Sequence, residues 1–80
     1  MNTYKLSNVN LLIFREFLFD IGCERLSIEG GHEKWHKKGC LRPVIFQTHI
    51  DPIPEFILKN NLRSLGLSRT DFIEWLKRRK

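Results

Sequence analysis

Long apolar runs are missing from this chain: the longest is Leu11 to Phe14, four residues, where a membrane-spanning helix needs about 20. Cysteine is scarce, with only Cys23 and Cys40, and no CxxC pair occurs. One disulfide is compatible with that pair, but nothing demands it, and in a cytosolic chain both thiols are expected to be reduced. Repeats, linkers and low-complexity tracts are absent as well. The opening MNTYKLSN lacks the apolar core of a signal peptide. These absences argue against a membrane protein and a secreted disulfide scaffold, and lead to the expectation of a soluble, cytoplasmic protein.

What is present reads as one small globular domain, residues 1–80, with 41% hydrophobic and 29% charged residues. A chain of this size buries only about 60% of the surface its unfolded form exposes, so the core must be compact. The net charge is +5 and uneven: −1 over residues 1–29, +3 over 30–50 and +3 over 51–80. Such an excess suits a polyanion such as nucleic acid, or an acidic protein partner; solvated surface charge is the bland alternative.

Periodicity predicts the elements. Leu11, Phe14, Leu18 and Ile21 recur at helical spacing, with Phe17 alongside. Ser7 is the expected N-cap, a Leu6–Leu11 staple is available, and Gly22 stops the helix, giving a span of about Asn8 to Ile21. Phe14, Phe17 and Phe19 are expected in the core or at its edge. In CERLSIE, Leu26 and Ile28 alternate with polar residues, as in a half-buried strand. Gly30-Gly31 is a turn or a bulge. HEKWHKK follows as a second strand, with Glu33, Trp35 and Lys37 on one side and His32, Lys34 and His36 on the other. After a turn at Lys38-Gly39-Cys40, RPVIFQTH supplies a third strand with Pro43 at its start. Asp51 and Pro52 open a helix whose apolar side holds Phe56, Ile57, Leu58, Leu62 and Leu65. Ser68 and Asp71 resemble a capping box for a last helix with Phe72, Ile73, Trp75 and Leu76, and the terminal KRRK complements its dipole. The order is α-β-β-β-α-α, with short connections that favour an antiparallel meander. Helices must cover one face of the sheet, leaving the other open.

The segment GGHEKWHKKGC, residues 30–40, concentrates the unusual residues. A zinc site built from Cys23, His32, His36 and Cys40 is disfavoured, because His32 and His36 on one strand stand about 13 Å apart. No metal and no cofactor is expected. Each histidine is readable as a surface polar residue. His32 differs in following two glycines, where the backbone can approach a ligand closely, and in lying among Lys34, Lys37 and Lys38. A histidine titrates near neutral pH and can move a proton in phosphodiester cleavage, since RNA carries its own nucleophile in the 2′-OH.

Gly-Gly-His opening strand two (Gly30, Gly31, His32), a strand three ending in His (Val44 to His49), and Leu-Arg-Ser-Leu-Gly-Leu-Ser leading into a terminal helix (Leu62 to Ser68) together resemble the HicA family. Its members are small bacterial and archaeal toxins of toxin–antitoxin pairs. The resemblance covers nearly the whole chain. It implies an α+β fold like the double-stranded RNA-binding domain, with helices on one face of a three-stranded antiparallel sheet. It also implies an mRNA-cleaving toxin with a catalytic strand-two histidine, here His32, and a cognate HicB antitoxin that covers it. Gly31 stands where the family commonly has Ser, a change expected to matter little. QTH replaces the frequent Pro-Arg-His, which removes a cation beside His49 and leaves KRRK as another source of charge. The expected RNA contacts are Gly30, Gly31, Lys34, Lys37, Lys38 and Arg42. A non-catalytic RNA-binding module is the alternative, and a protein-binding domain with an inactive histidine is the third reading.

Overall fold

The structure, a computed structural model, describes residues 8–79. Its elements are α1 (Leu11–Asp20), β1 (Glu24–Glu29), β2 (His32–His36), β3 (Val44–Gln47), α2 (Glu55–Ser64) and α3 (Arg69–Arg78). The strands form one antiparallel sheet in the order β1-β2-β3. Element order and sheet agree with the sequence reading, an α+β domain with its helices behind an open sheet.

Alternation along β2 and β3 decides which side is the back. Glu33 and Trp35 of β2 and Val44 and Phe46 of β3 are buried, while His32, Lys34, Ile45 and Gln47 are exposed. Phe14 of α1 packs edge-on against Phe46 at 5.2 Å between ring centroids. From the same helix Phe17 meets Phe72 at 4.8 Å and Trp75 at 5.2 Å. Helix α1 is thus layered between the sheet and α3. The capping box predicted for α3 is present: Asp71 N–H donates to Ser68 Oγ and Ser68 N–H donates to the Asp71 carboxylate.

One carboxylate lies inside the apolar layer. Glu33 has 0% exposure. Arg15 of α1 donates to both its oxygens at 2.8–3.1 Å, and the Trp35 indole N–H donates to Oε2 at 2.7 Å. A buried charge is tolerated only when paired and hydrogen-bonded in this way. Those hydrogen bonds, outweighing partial desolvation, hold the Arg15 guanidinium above its ordinary pKa.

Several expectations are corrected. Helix α1 starts at Leu11 because Asn10, not Ser7, caps it, accepting from Ile13 N–H at 2.8 Å; Ser7 and the Leu6 staple lie outside the described residues. Asp51 does not cap α2 but accepts from Leu11 N–H at 3.2 Å, 40 residues away in sequence. The following residues form an extended strap, tied by Ile53 N–H to the Val9 carbonyl, and α2 begins only at Glu55 with Pro54 at its N-cap. Phe19 and Phe56 are not core residues, at 74% and 66% exposure. Nor is β1 half-buried: Leu26 and Ile28 are 56% and 49% exposed, because the helices do not reach over this edge strand. A bulge lies between Arg25 and Ser27. The opposite edge is occupied, since the Asn61 side chain of α2 donates to the Ile45 carbonyl at 3.0 Å and accepts from its N–H at 3.3 Å.

Breaking the buried pair leaves an uncompensated charge. Arg15→Ala is expected to lower stability by about 3 kcal/mol, the low end for such a pair because Arg15 keeps some solvent contact. Trp35→Ala, which removes a buried aromatic and a donor to Glu33, should cost roughly 3–5 kcal/mol. Urea unfolding of both variants measures this; parent-like midpoints would show that the network is not what holds α1 to β2.

Candidate functional site

The turn after β1 is built by its glycines. Glu29 pairs with His32 across a two-residue connection, and Gly30 and Gly31 have φ of +58° and +80°. Positive φ at both central positions is the hairpin turn whose twist suits antiparallel strands. His32 is the first residue beyond it. Its side chain is exposed on the open face, because Glu33 next to it points into the core.

The register gives His32 its neighbours. Glu29 stands across from it on β1 and Gln47 on β3. Lys34, two residues on and on the same face, lies between Ser27 and Ile45. The far end of β3 is stitched to the turn: Thr48 N–H and Oγ1 both donate to the Gly31 carbonyl, at 2.8 and 3.3 Å. His49 therefore stands beside the turn, its ring atoms 3.2 Å from where a Gly31 Cβ would lie. Gly30, Gly31, His32, Lys34, Gln47 and His49 thus occupy one end of the sheet.

The other expected cations are elsewhere. Lys37, Lys38 and Arg42 follow the opposite end of β2, about 13 Å of strand away from His32. Lys37 Nζ lies by the turn after α1, 3.9 Å from where a Gly22 Cβ would be. Arg42 shares a shallow groove with Arg63 at the end of α2. Of the cations expected to hold phosphates, Lys34 stands beside His32 on the same face, while Lys37 and Lys38, expected near it, and Arg42 lie beyond the far end of β2. Nor does Arg79 of the terminal basic run face this way. Arg79 pairs with Glu16 of α1 at 2.8 Å and lies over the Trp75 ring, behind the sheet.

Cys23 is buried, which pushes its thiol pKa up, and Cys40 is half-buried; both are free. Among the described residues no three His, Cys, Asp or Glu side chains converge on a point that a metal ion could occupy, and no helix is long and apolar enough to cross a membrane.

A groove of about 260 Å³ beside His32 was not anticipated from the sequence. Ile45, Gln47, Ile50 and Phe56 line it with His32. Phe56, expected on the apolar side of α2, is exposed instead; the signal in the sequence is that it breaks the spacing of Leu58, Leu62 and Leu65. Comparison with known protein families, with curated proteins and with solved structures finds no match for this chain.

The two glycines should respond differently to substitution. Gly31→Ser, an exchange expected from the resemblance to matter little, places a side chain at positive φ and against the His49 ring, and should instead destabilise by roughly 1–2 kcal/mol. Gly30→Asn meets open space in a conformation that Asn adopts readily, and should melt close to the parent. Thermal unfolding of the pair checks this; equal melting would mean the turn does not require Gly31.

Proposed function

We propose that this chain is a HicA-like ribonuclease toxin that acts on mRNA in the cytoplasm, with His32 moving a proton in the cleavage step. The observation that carries the reading is the placement of His32: exposed on the uncovered sheet face, at the end of a glycine turn, with Lys34 on the same face. In this reaction the 2′-oxygen bonds to phosphorus as the bond to the 5′-oxygen breaks. The 2′ proton leaves to a base and the 5′-oxygen gains one from an acid. His32 serves in one of these transfers, and Lys34 holds a phosphate. The resemblance of Gly30-Gly31-His32, the His-ended third strand and Leu62 to Ser68 to HicA motifs supports the assignment. The distance of Lys37, Lys38 and Arg42 from His32 favours the alternative, a non-catalytic RNA-binding module with two separate basic areas.

A positioned acid–base group typically contributes about 10²–10⁴-fold in rate. His32→Ala should therefore lose most RNA cleavage, assayed with chelator present to silence contaminating metal nucleases. It should melt like the parent, since exposed positions usually change stability by no more than about 0.5 kcal/mol. Cleavage at the parent's rate by a folded His32→Ala protein would remove the catalytic role. A gel shift without cleavage by the parent would instead establish the binding module.

An RNase toxin needs restraint, and a HicB-like antitoxin that covers His32 is part of the proposal, supported by the exposure of His32 on the open sheet face. Co-expression with the product of the neighbouring reading frame should give a co-purifying complex that leaves RNA uncut. A complex that cuts as fast as the free protein would eliminate occlusion of His32.

A further inference from the structure

We propose that the groove beside His32 is a nucleobase site, in which one unstacked base of single-stranded RNA lies on Phe56 with the Gln47 amide at its edge. The inference rests on the reading of this face as RNA-directed, and adds to it where a base is held and by what.

Among the described residues eight large hydrophobic side chains are exposed, and three of them, Ile45 (41%), Ile50 (38%) and Phe56 (66%), converge on this groove. Single exposed apolar residues need no explanation, but a cluster around a concavity does. At about 260 Å³ the groove falls just below the range of drug-sized pockets, roughly 300–1,000 Å³, which suits one planar ring system rather than a helix or a duplex. His32 and Gln47 are the polar side chains of its lining. An amide both donates and accepts, so Gln47 can read a base edge, and single-stranded RNA is read by stacking on aromatic rings and by hydrogen bonds to those edges. Among the described residues no carboxylate lines the groove, Glu29 standing across from His32 on the β1 side, and Lys34 stands directly across from Ile45, where the phosphate of a bound nucleotide would lie. The platform is also fixed in place. Helix α2 is held to β3 by the paired Asn61–Ile45 hydrogen bonds, and the strap before it by Ile53 N–H to the Val9 carbonyl.

The test measures fluorescence anisotropy of a labelled 2′-O-methyl RNA oligonucleotide, which lacks the free 2′-OH and cannot be cut, with a duplex of the same length as control. The proteins are the full chain, Phe56→Ala, Phe56→Tyr and Gln47→Ala. Phe56→Ala should weaken single-strand binding by roughly five- to a hundredfold, the range for loss of one base–aromatic stack, and leave duplex binding unchanged. Phe56→Tyr, which keeps the ring, should bind as the parent does. Gln47→Ala should change the order of preference among oligo-A, -C, -G and -U. Unchanged single-strand affinity in Phe56→Ala, or an equal loss for duplex, would overturn the proposal. So would a Phe56→Ala protein that keeps RNA affinity but no longer co-purifies with a protein partner, because the groove would then be a protein-docking site. Should Phe56→Ala melt early, Gln47→Ala decides, and an unaltered preference overturns the site. Cleavage of ordinary RNA by the parent separates the two layers. No cleavage together with the stacking signature removes the ribonuclease reading and keeps the base site. Cleavage together with full affinity in Phe56→Ala does the reverse.

Discussion

The Glu33 carboxylate sits where an ion is least welcome, between a sheet and a helix layer, and the rest of the molecule is arranged around satisfying it. Its donors come from two elements, Arg15 of α1 and Trp35 of the same strand. Ion pairs of this kind are weak contributors to net stability, because desolvation offsets much of the attraction. Their effect is on geometry. Only one placement of α1 across β2 lets the guanidinium reach both oxygens. In that placement Glu33 and Trp35 point back, so His32 and Lys34 point forward. A slip of one residue would bury a histidine and a lysine and expose a tryptophan. The outward aim of His32 is thus set by what its neighbour does on the other side.

The features legible in the sequence are those that depend on near neighbours. Alternation in HEKWHKK reveals both faces of β2, the Ser68–Asp71 pair marks the start of α3, and the short turns indicate an antiparallel sheet. The features that were not legible depend on distant ones. Asp51 looks like a local cap, yet its carboxylate serves Leu11 N–H at the other end of the chain. Leu26 and Ile28 alternate as buried residues would, and nothing within CERLSIE tells whether a helix reaches over them. The candidate site divides in the same way. His32 and Lys34 share a face through the period of two. The departure of Lys37, Lys38 and Arg42 follows from where β2 ends, and the groove from a helix starting three residues later than Pro52 implied.

Front and back of the molecule do different work. The back gathers aromatic rings: Phe14, Phe17, Phe72 and Trp75 stack or meet edge-to-face. Trp75 is also tied to α1 through Asp20 at 3.0 Å. This clamp recruits Arg79 and Glu16, so part of the terminal positive charge is committed to holding helices together. The front keeps its polar groups unburied. The corner where the glycine turn, the end of β3 and the start of α2 meet brings a histidine, an amide and an exposed phenylalanine around one groove. Such corners are favourable for binding, because loops from several elements converge there on a rigid frame.

The two margins of the sheet are unlike. Asn61 occupies both backbone polar groups of Ile45 on the β3 side, while among the described residues no strand pairs with the outer side of β1, where a bulge and the charged Glu24, Arg25 and Glu29 discourage a visitor. Strand addition to this protein therefore has a direction. A second copy joining through β1 would use the free margin of both molecules at once and present stapled margins outward, so growth by sheet extension would end at a pair. A fibril needs every subunit to offer two open sides, and the described residues of this subunit offer one.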